Sequence, residues 1–153
     1  MSLCCDVLSL LQGKTLVTAE SLTGGGIGAA LTAVSGSSAV YKGGIISYTN
    51  EVKHQLLGVP MDTLEQYGAV SEPVARAMAQ GARKVLEADV AVSVTGLAGP
   101  GGDDYGNPVG TVFIGYSDEN RTVVNPCLFS GDRESIRSQT IETALQLILN
   151  MQK

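Results

Sequence analysis

The segment Thr18-Ala19-Glu20-Ser21-Leu22-Thr23-Gly24-Gly25-Gly26 joins two patterns of different period. Residues 15–19 are mostly apolar and predict a short β-strand, whereas Ile27, Leu31 and Val34 recur at helical spacing after the glycines. A strand that ends in a hydroxyl-rich, glycine-rich turn and continues as a helix is typical of α/β proteins. The segment therefore predicts an α/β fold and places the first candidate site at this turn.

Ser21 stands just ahead of the expected helix, whose first backbone N–H groups have no partner within the helix. Such groups can hold a phosphate, a carboxylate or a developing oxyanion. The three glycines allow a close backbone approach, at an entropic cost that a plain turn has little reason to bear. The alternative is that Ser21 or Thr23 serves only as a helix N-cap. The segment alone leaves both interpretations open.

Composition narrows the class of protein. The 153 residues are 44% hydrophobic and 16% charged, which predicts one globular domain over residues 1–153. The net charge is −5 and Lys and Arg form no cluster, so no nucleic-acid partner is expected. No apolar stretch approaches the roughly 20 residues that cross a bilayer, so no membrane partner is expected. Cys4, Cys5 and Cys127 fit neither a disulfide framework nor a zinc site, which favours a reduced, cytoplasmic protein.

The rest of the chain alternates strands with helices. A short helix is expected up to Leu11, and Asn50 can cap another that ends at Leu57. A longer helix starts at Ser71-Glu72-Pro73, and its expected core face carries Val74, Met78, Ala82 and Val85. Further strands are predicted at 40–48, 89–95, 109–116 and 121–129, with the last two as a hairpin before a final helix from Asp132. This order predicts a single three-layer α/β/α sandwich with a mixed, mostly parallel sheet.

A second glycine-rich loop, Thr95-Gly96-Leu97-Ala98-Gly99-Pro100-Gly101-Gly102, ends the apolar strand at 89–95. Ligands in open α/β sheets collect outside the carboxyl ends of strands, so this loop and Ser21 could line one cleft. Neither glycine segment matches the dinucleotide fingerprint or the phosphate loop, which gives a dinucleotide or ATP cofactor little support. The polar stretch 103–107 is flexible enough for a lid. Its paired Asp103 and Asp104 suggest a metal site or, more simply, a solvated turn.

Six blocks of sequence carry a joint resemblance. They are Ala19-Glu20-Ser21-x-Thr23-Gly24-Gly25, Tyr48-x-Asn50-Glu51-x-Lys53, Gly68-Ala69-Val70-Ser71-Glu72-Pro73-Val74, Thr95-Gly96-x-Ala98-Gly99-Pro100-Gly101, Pro108-Val109-Gly110-Thr111-Val112 and Gly131-Asp132-Arg133. In this order they resemble the CinA C-terminal domain family and cover nearly the whole chain. Each block alone is weak, whereas six together are highly specific.

The resemblance implies a nicotinamide mononucleotide amidohydrolase, which forms nicotinic acid mononucleotide and ammonia in pyridine nucleotide recycling. It also implies a mixed α/β/α sandwich, a small-molecule nucleotide substrate, no metal or organic cofactor and, often, a homodimer. Many relatives carry this domain behind a larger molybdopterin-binding-like domain, and we expect this chain to be the stand-alone form. Two departures are Leu22, where relatives often have cysteine, and the stretch 103–107, which differs from the commoner loop.

Amide hydrolysis needs a nucleophile, a proton acceptor and donors for the oxyanion. Ser21 is the hypothesised nucleophile, and the base is either His54, the only histidine, or its neighbour Lys53. We favour Lys53, because a Ser-Lys pair is an established arrangement and burial can supply the neutral amine. The alternative for Lys53 is a solvated surface charge. Tyr48 could orient Ser21 or Lys53, or could be a half-buried structural residue.

Substrate contacts are expected from both glycine-rich turns. Their backbone N–H groups can stabilise the oxyanion, and the residues concerned are Thr23, Gly24 and Gly25 in one turn and Thr95, Gly96, Ala98 and Gly99 in the other. Arg133 and Arg137 can share a helix face and bind the substrate phosphate, although Arg133 could instead pair with Asp132 or Glu134. Glu20 is expected to orient backbone groups or substrate hydroxyls, with a general-base role the weaker option.

Two other classes of protein remain open. One is a catalytically silent module that binds a nucleotide or a partner protein, which would keep the glycine loops but tolerate loss of Ser21 and Lys53. The presence of both residues disfavours it. The other is a DNA-processing accessory, suggested by the competence association of the family name. The basic surface that it would need is not evident from the composition.

Overall fold

Five strands form one sheet in the computed structural model, which describes residues 2–153. The strands are β1 (Leu16–Glu20), β2 (Tyr41–Ile46), β3 (Val90–Gly96), β4 (Thr111–Ser117) and β5 (Thr122–Leu128). Their order in the sheet is β2-β1-β3-β4-β5. β1 is parallel to both neighbours, whereas β4 is antiparallel to β3 and to β5. Four strands therefore point one way, which confirms the mixed, mostly parallel sheet and its hairpin.

Helices cover both faces of this sheet. They are α1 (Leu3–Leu10), α2 (Gly26–Thr32), α3 (Asn50–Leu57), α4 (Met61–Tyr67), α5 (Glu72–Leu86) and α6 (Arg133–Gln152). One apolar core joins α1, α2 and α6 to the sheet, and a second core joins α3, α4 and α5 to the opposite face. The predicted three-layer sandwich is confirmed. Within residues 2–153, none of these helices has the length and apolar character needed to cross a membrane.

The alternation of side chains along β1 separates two neighbouring polar residues. All five residues of β1 are buried, because the strand lies between two parallel strands and under helices on both faces. Leu16 packs in the core with α2, whereas Val17 and Ala19 pack in the core with α5. Since successive side chains point to opposite faces, Glu20 is directed towards α2 and Ser21 towards α3.

Three local predictions need correction. The N-cap of α3 is Thr49, whose hydroxyl accepts a hydrogen bond from the Val52 N–H at 3.3 Å, so Asn50 is the first helical residue instead. Val85 is 54% exposed and lies off the core face of α5. Helix α4 was not expected, because only its Leu64 is buried and so short a segment shows no helical period. α4 nevertheless shapes the site, since it supports the loop at 103–107.

Candidate active site

A cleft of about 500 Å³ opens at the carboxyl ends of β1 and β3. The turn after β1, the start of α3 and the loop after β3 form its walls. The structure brings eight of the predicted site residues together here, namely Ser21, Tyr48, Lys53, Thr95, Gly96, Ala98, Gly99 and Arg133. This is the edge of an α/β sheet at which ligands are expected to bind.

Ser21 and Lys53 meet at the floor of the cleft. The Lys53 Nζ lies 3.1 Å from the Ser21 Oγ, although the two residues are 32 positions apart in the chain. Nζ also donates to the backbone carbonyls of Ser47, at 2.9 Å, and Tyr48, at 3.2 Å. Ser21 is 6% exposed and Lys53 only 1% exposed. The alternative of a solvated Lys53 is therefore wrong.

The surroundings of Lys53 bring its neutral amine within reach near neutral pH. Its acceptors are uncharged, and the one ion pair among residues 2–153 joins Arg76 to Glu72, so no carboxylate compensates an ammonium here. Burial accordingly lowers the pKa of Lys53 from 10.5 to about 8. A neutral amine has two N–H donors and one lone pair. The two carbonyls can accept both N–H groups, which leaves the lone pair for the Ser21 hydroxyl.

Glu20 lies outside this cleft, on the other face of β1. Its Oε1 accepts from the Thr23 hydroxyl at 2.7 Å and from the Ile27 N–H at 2.8 Å. Its Oε2 accepts from the Thr18 hydroxyl and the Gly28 N–H, both at 3.0 Å. Glu20 thus fills the N-terminus of α2, so these helix N–H groups are not free for an anion as the sequence suggested. The carboxylate orients backbone groups, and the structure gives it no contact with the cleft.

Arg137 also holds the turn rather than lining the cleft. Its Nε donates to the Leu22 carbonyl at 2.9 Å, and its Nη2 donates to the Thr23 carbonyl at 3.0 Å. Gly24 and Gly25 follow with positive φ values of 58° and 99°, which glycine adopts without strain. Of the residues in this turn network, Leu22 lines the cleft, whereas Thr23, Gly24, Gly25 and Arg137 do not, so the structure does not support substrate contacts for these four.

Arg133 lies at the mouth of the cleft. Its Nη1 donates to the Gly99 carbonyl at 2.7 Å, and its Nη2 donates to the Tyr48 hydroxyl at 3.3 Å. It forms no ion pair with Asp132 or Glu134, and the Asp132 carboxylate instead caps α6 by accepting from the Ser135 N–H at 2.8 Å. Arg133 therefore joins the loops after β2 and β3 and keeps its charge available at the cleft.

Tyr48 is more exposed than the half-buried environment considered for it, whereas His54 lies on the surface of a helix, as expected once Lys53 is preferred as the base. Tyr48 is 59% exposed rather than half-buried, and its hydroxyl meets Arg133, whereas only its backbone carbonyl contacts Lys53. His54 is exposed on α3, and its Nδ1 lies 2.8 Å from the Val59 carbonyl oxygen. The only histidine of the chain therefore does not approach Ser21, which leaves Lys53 as the candidate base.

Backbone donors for an oxyanion remain on both turns. The N–H groups of Leu22, Ala98 and Gly99 form no hydrogen bond with any residue of the part of the chain that the structure describes, and all three residues line the cleft. The Leu97 N–H is bound to the Thr111 carbonyl at 2.9 Å and is not available. Thr95 lines the cleft, but its hydroxyl donates to the Ala69 carbonyl at 2.8 Å and so supports the wall.

Sequence reasoning missed two polar residues of the cleft wall. Asn50 lies one turn before Lys53 on α3, and its side chain has no hydrogen-bond partner in the described chain because Thr49 supplies the cap. Asp104, on the loop after β3, also lines the cleft and is exposed. Their separation from Ser21 in the chain hides both from a sequence pattern. Across residues 2–153, no three His, Cys, Asp or Glu side chains converge into a metal-ligand cluster.

The loop that carries Asp104 is held against the rest of the wall. The Tyr105 hydroxyl donates to the Glu65 carbonyl on α4 at 2.8 Å, and the Asn107 amide donates to the Val70 carbonyl at 3.2 Å. Burial raises the pKa of Asp103, but hydrogen bonds from Asn107 and Tyr105 outweigh it and lower that pKa below its ordinary value. Asp103 is thus the anchor of a turn, as the simpler interpretation of the paired aspartates predicted.

These features define a three-layer α/β protein whose cleft holds a buried serine and lysine within hydrogen-bond distance. Comparison with known proteins identifies the family. The model of the CinA C-terminal domain matches residues 4–152, and the chain belongs to the CinA C-terminal domain family.

Relatives and solved structures agree with this assignment. A CinA-like protein of Prochlorococcus marinus is 47% identical over 95% of this chain and 34% of its own length. One of Parasynechococcus marenigrum is 58% identical over 76% of this chain and 28% of its own. The chain thus spans about a third of the length of these curated relatives. The competence/damage inducible protein CihA of Agrobacterium tumefaciens superposes with a TM-score of 0.95 and 39% identity, covering 99% of this chain and 94% of that one.

Proposed function

We propose that this domain hydrolyses the carboxamide of nicotinamide mononucleotide, releasing ammonia and nicotinic acid mononucleotide. The observation that carries the proposal is the contact of 3.1 Å between the Ser21 hydroxyl and a buried Lys53 amine at the floor of a cleft. Membership of the family supports the choice of substrate, since the six sequence blocks carry the resemblance that implies it. The names of the relatives specify no enzymatic activity.

Lys53 begins the reaction as the general base. With a pKa of about 8, the neutral amine is about a tenth of the population at pH 7. It takes the proton of the Ser21 hydroxyl while Oγ attacks the carboxamide carbon, forming the C–O bond of a tetrahedral intermediate. The backbone N–H groups of Leu22, Ala98 and Gly99 are the free donors on the cleft wall, and they stabilise the negative charge on the former carbonyl oxygen.

Lys53 then returns its proton to the leaving group. The C–N bond breaks, ammonia departs, and the acyl group remains on Ser21 as an ester. A water molecule attacks this ester with the neutral Lys53 as base, releasing the carboxylic acid and restoring the Ser21 hydroxyl. One water is consumed and one ammonia is formed for each substrate molecule, so the balance needs no further reactant.

Arg133 supplies the positive charge for the substrate phosphate. It is the one arginine that lines the cleft among residues 2–153, and its guanidinium has no carboxylate partner there. A planar guanidinium can donate two parallel hydrogen bonds to a phosphate. Because Tyr48 and Gly99 already hold this side chain, less rotamer freedom is lost when the nucleotide binds.

Ammonia release from nicotinamide mononucleotide by the purified protein tests the proposal. We expect turnover by the wild-type protein and by Ser38→Ala, which alters an exposed serine away from the cleft. Folded Ser21→Ala, checked by circular dichroism, should release none. Wild-type protein that binds the nucleotide without releasing ammonia would instead indicate a nucleotide-binding module. Activity that survives Ser21→Ala would contradict the nucleophile assignment.

The homodimer and the cytoplasmic location stay predictions. Sedimentation equilibrium of the purified protein would give the oligomeric state, and fractionation of cells that express the full-length chain would give the location. Neither prediction enters the mechanism, because every group it uses lies within one chain.

A further inference from the structure

Two side chains of opposite charge, Arg133 and Asp104, line the cleft. Arg133, at the start of α6, is tied to Tyr48 and to Gly99 on one side. Asp104 stands on the wall formed by the loop after β3, which is fixed to α4 and to Val70. Ser21 and Lys53 line the same cleft and are buried at its floor. A ligand that reacts at Ser21 is therefore exposed to both charges.

Asp104 differs from the adjacent Asp103 because its carboxylate stabilises no part of the loop in the described structure. The adjacent Asp103 accepts from the backbone N–H groups of Tyr105 and Asn107, both at 3.0 Å, and from the Asn107 amide at 2.8 Å. The carboxylate of Asp104 forms no hydrogen bond or ion pair with any of residues 2–153, yet it lines the cleft. It is a free negative charge held on an anchored loop.

The proposed substrate carries two fixed charges that match this arrangement. Its phosphate is anionic, and its pyridinium ring, which bears the carboxamide, is cationic. When the carboxamide carbon lies at Ser21, the ring must lie within the cleft, and the phosphate is drawn towards Arg133. We infer that the Asp104 carboxylate faces the pyridinium ring and makes the cleft selective for amides that carry a fixed positive charge, an inference that rests on the proposed function.

The chemistry of the ring decides how this selection acts. A pyridinium nitrogen that is bonded to ribose has no N–H to donate, so it interacts with a carboxylate through charge rather than through a hydrogen bond. The substitution Asp104→Asn would keep the shape of the side chain and one acceptor oxygen but remove the negative charge. Recognition of the ribose hydroxyls would respond differently, because an asparagine oxygen still accepts from a hydroxyl.

Binding to the Ser21→Ala protein tests the inference apart from turnover. Isothermal titration would compare nicotinamide mononucleotide with its 1,4-dihydro form, which keeps the phosphate, ribose and carboxamide but has a neutral ring. Adding Asp104→Asn should weaken binding of the cationic nucleotide about fivefold, a size typical of an exposed charge pair, and leave the dihydro form within about twofold. Asp104→Glu should restore most of the loss, and added salt should shrink it.

Glu119→Gln is the matched control, since it removes one exposed carboxylate at the far end of the sheet, between β4 and β5. It should leave binding of both nucleotides unchanged. Three outcomes would overturn the inference. Asp104→Asn could weaken the binding of both nucleotides equally, or weaken the binding of neither. The third outcome is that the cationic nucleotide does not bind to the Ser21→Ala protein. The proposed function is judged separately, by ammonia release from the wild-type protein, so the two can fail independently.

Discussion

Glu20 and Lys53 are two buried ionisable side chains that flank the Ser21 turn from opposite faces of the sheet. Glu20 is 2% exposed and accepts four hydrogen bonds, two at each carboxylate oxygen. Lys53 is 1% exposed and contacts two carbonyls and one hydroxyl, without a counter-charge. A buried charge with a full set of donors stabilises the local structure. A buried amine without a counter-charge is instead held close to its neutral and reactive form.

The largest expected effect comes from Lys53→Met, which keeps the length of the side chain but removes the amine. The kcat/KM for ammonia release should fall about 10³-fold, since general acid–base catalysis contributes roughly 10²–10⁴-fold. The measurement is steady-state ammonia release at pH 8. Lys42→Met, which removes an exposed charge on β2, serves as the control. If Lys53→Met kept a tenth or more of the activity, the proposed role of Lys53 as the general base would be contradicted.

Glu20→Gln tests the structural side of the comparison. The new amide nitrogen would face donors such as the Ile27 and Gly28 N–H groups, and the charge at the N-terminus of α2 would be lost. We expect a loss of about 2–4 kcal/mol in the free energy of unfolding, measured by urea denaturation. The surface change Glu119→Gln should stay within about 0.5 kcal/mol. A loss for Glu20→Gln as small as that of Glu119→Gln would mean that this network does not hold the turn.

The same Lys53→Met protein should be more stable than the wild type at neutral pH. The pKa of Lys53 is about 8 in the folded protein against an ordinary 10.5, so between these values the unfolded chain binds more protons and wild-type stability rises with pH. At pH 7 the buried ammonium carries its full cost, and its removal should raise the free energy of unfolding by about 1–3 kcal/mol, reduced by the lost hydrogen bonds. The gain should disappear by about pH 10.5. Urea titrations at both pH values measure it, and a gain that grew with pH would have the wrong sign.

The smallest effect expected is the pH dependence of the wild-type rate. The kcat/KM should rise about tenfold from pH 7 to pH 9, with its midpoint near pH 8, and level off above about pH 9, as Lys53 loses its proton. The initial rate of ammonia release at constant ionic strength provides the profile. A rate that stayed flat across this range would mean that Lys53 is not the titrating base, and the catalytic role that distinguishes it from Glu20 would be contradicted.

Sequence reasoning found the two catalytic candidates but not all of their surroundings. Ser21 was identifiable because a strand, a hydroxyl-rich turn and three glycines follow each other directly, and Lys53 was identifiable through its sequence block. That Glu20 is turned away from the site follows from the alternation along β1, since adjacent side chains of a strand point to opposite faces. The partners of Glu20 on α2 lie only seven and eight residues further along the chain. These hydrogen bonds could therefore have been predicted from the sequence.

Other contacts had no local signal. Arg137 holds the Leu22 and Thr23 carbonyls from more than 100 residues away, and its spacing from Arg133 suggested a shared phosphate site instead. The two arginines lie one helical turn apart at the start of α6, yet Arg133 contacts Gly99 whereas Arg137 contacts the turn after β1. Asp104 and Asn50 line one cleft, and the loop that carries Asp104 is held there by α4 and by the Val70 carbonyl.

The sequence by itself determined the three-layer α/β class, the mixed sheet and the two glycine-rich turns, and it singled out Ser21 and Lys53 as the candidate pair. These follow from periodicity, from turn chemistry and from blocks of residues in a fixed order, all of which are properties of neighbours along the chain. Only the tertiary structure decided that Lys53 is buried with no ion-pair partner among residues 2–153, that Arg137 holds the turn, and that Arg133 faces the cleft. Burial and hydrogen-bond partnership depend on which distant elements pack together, and the pKa of an amine depends on both.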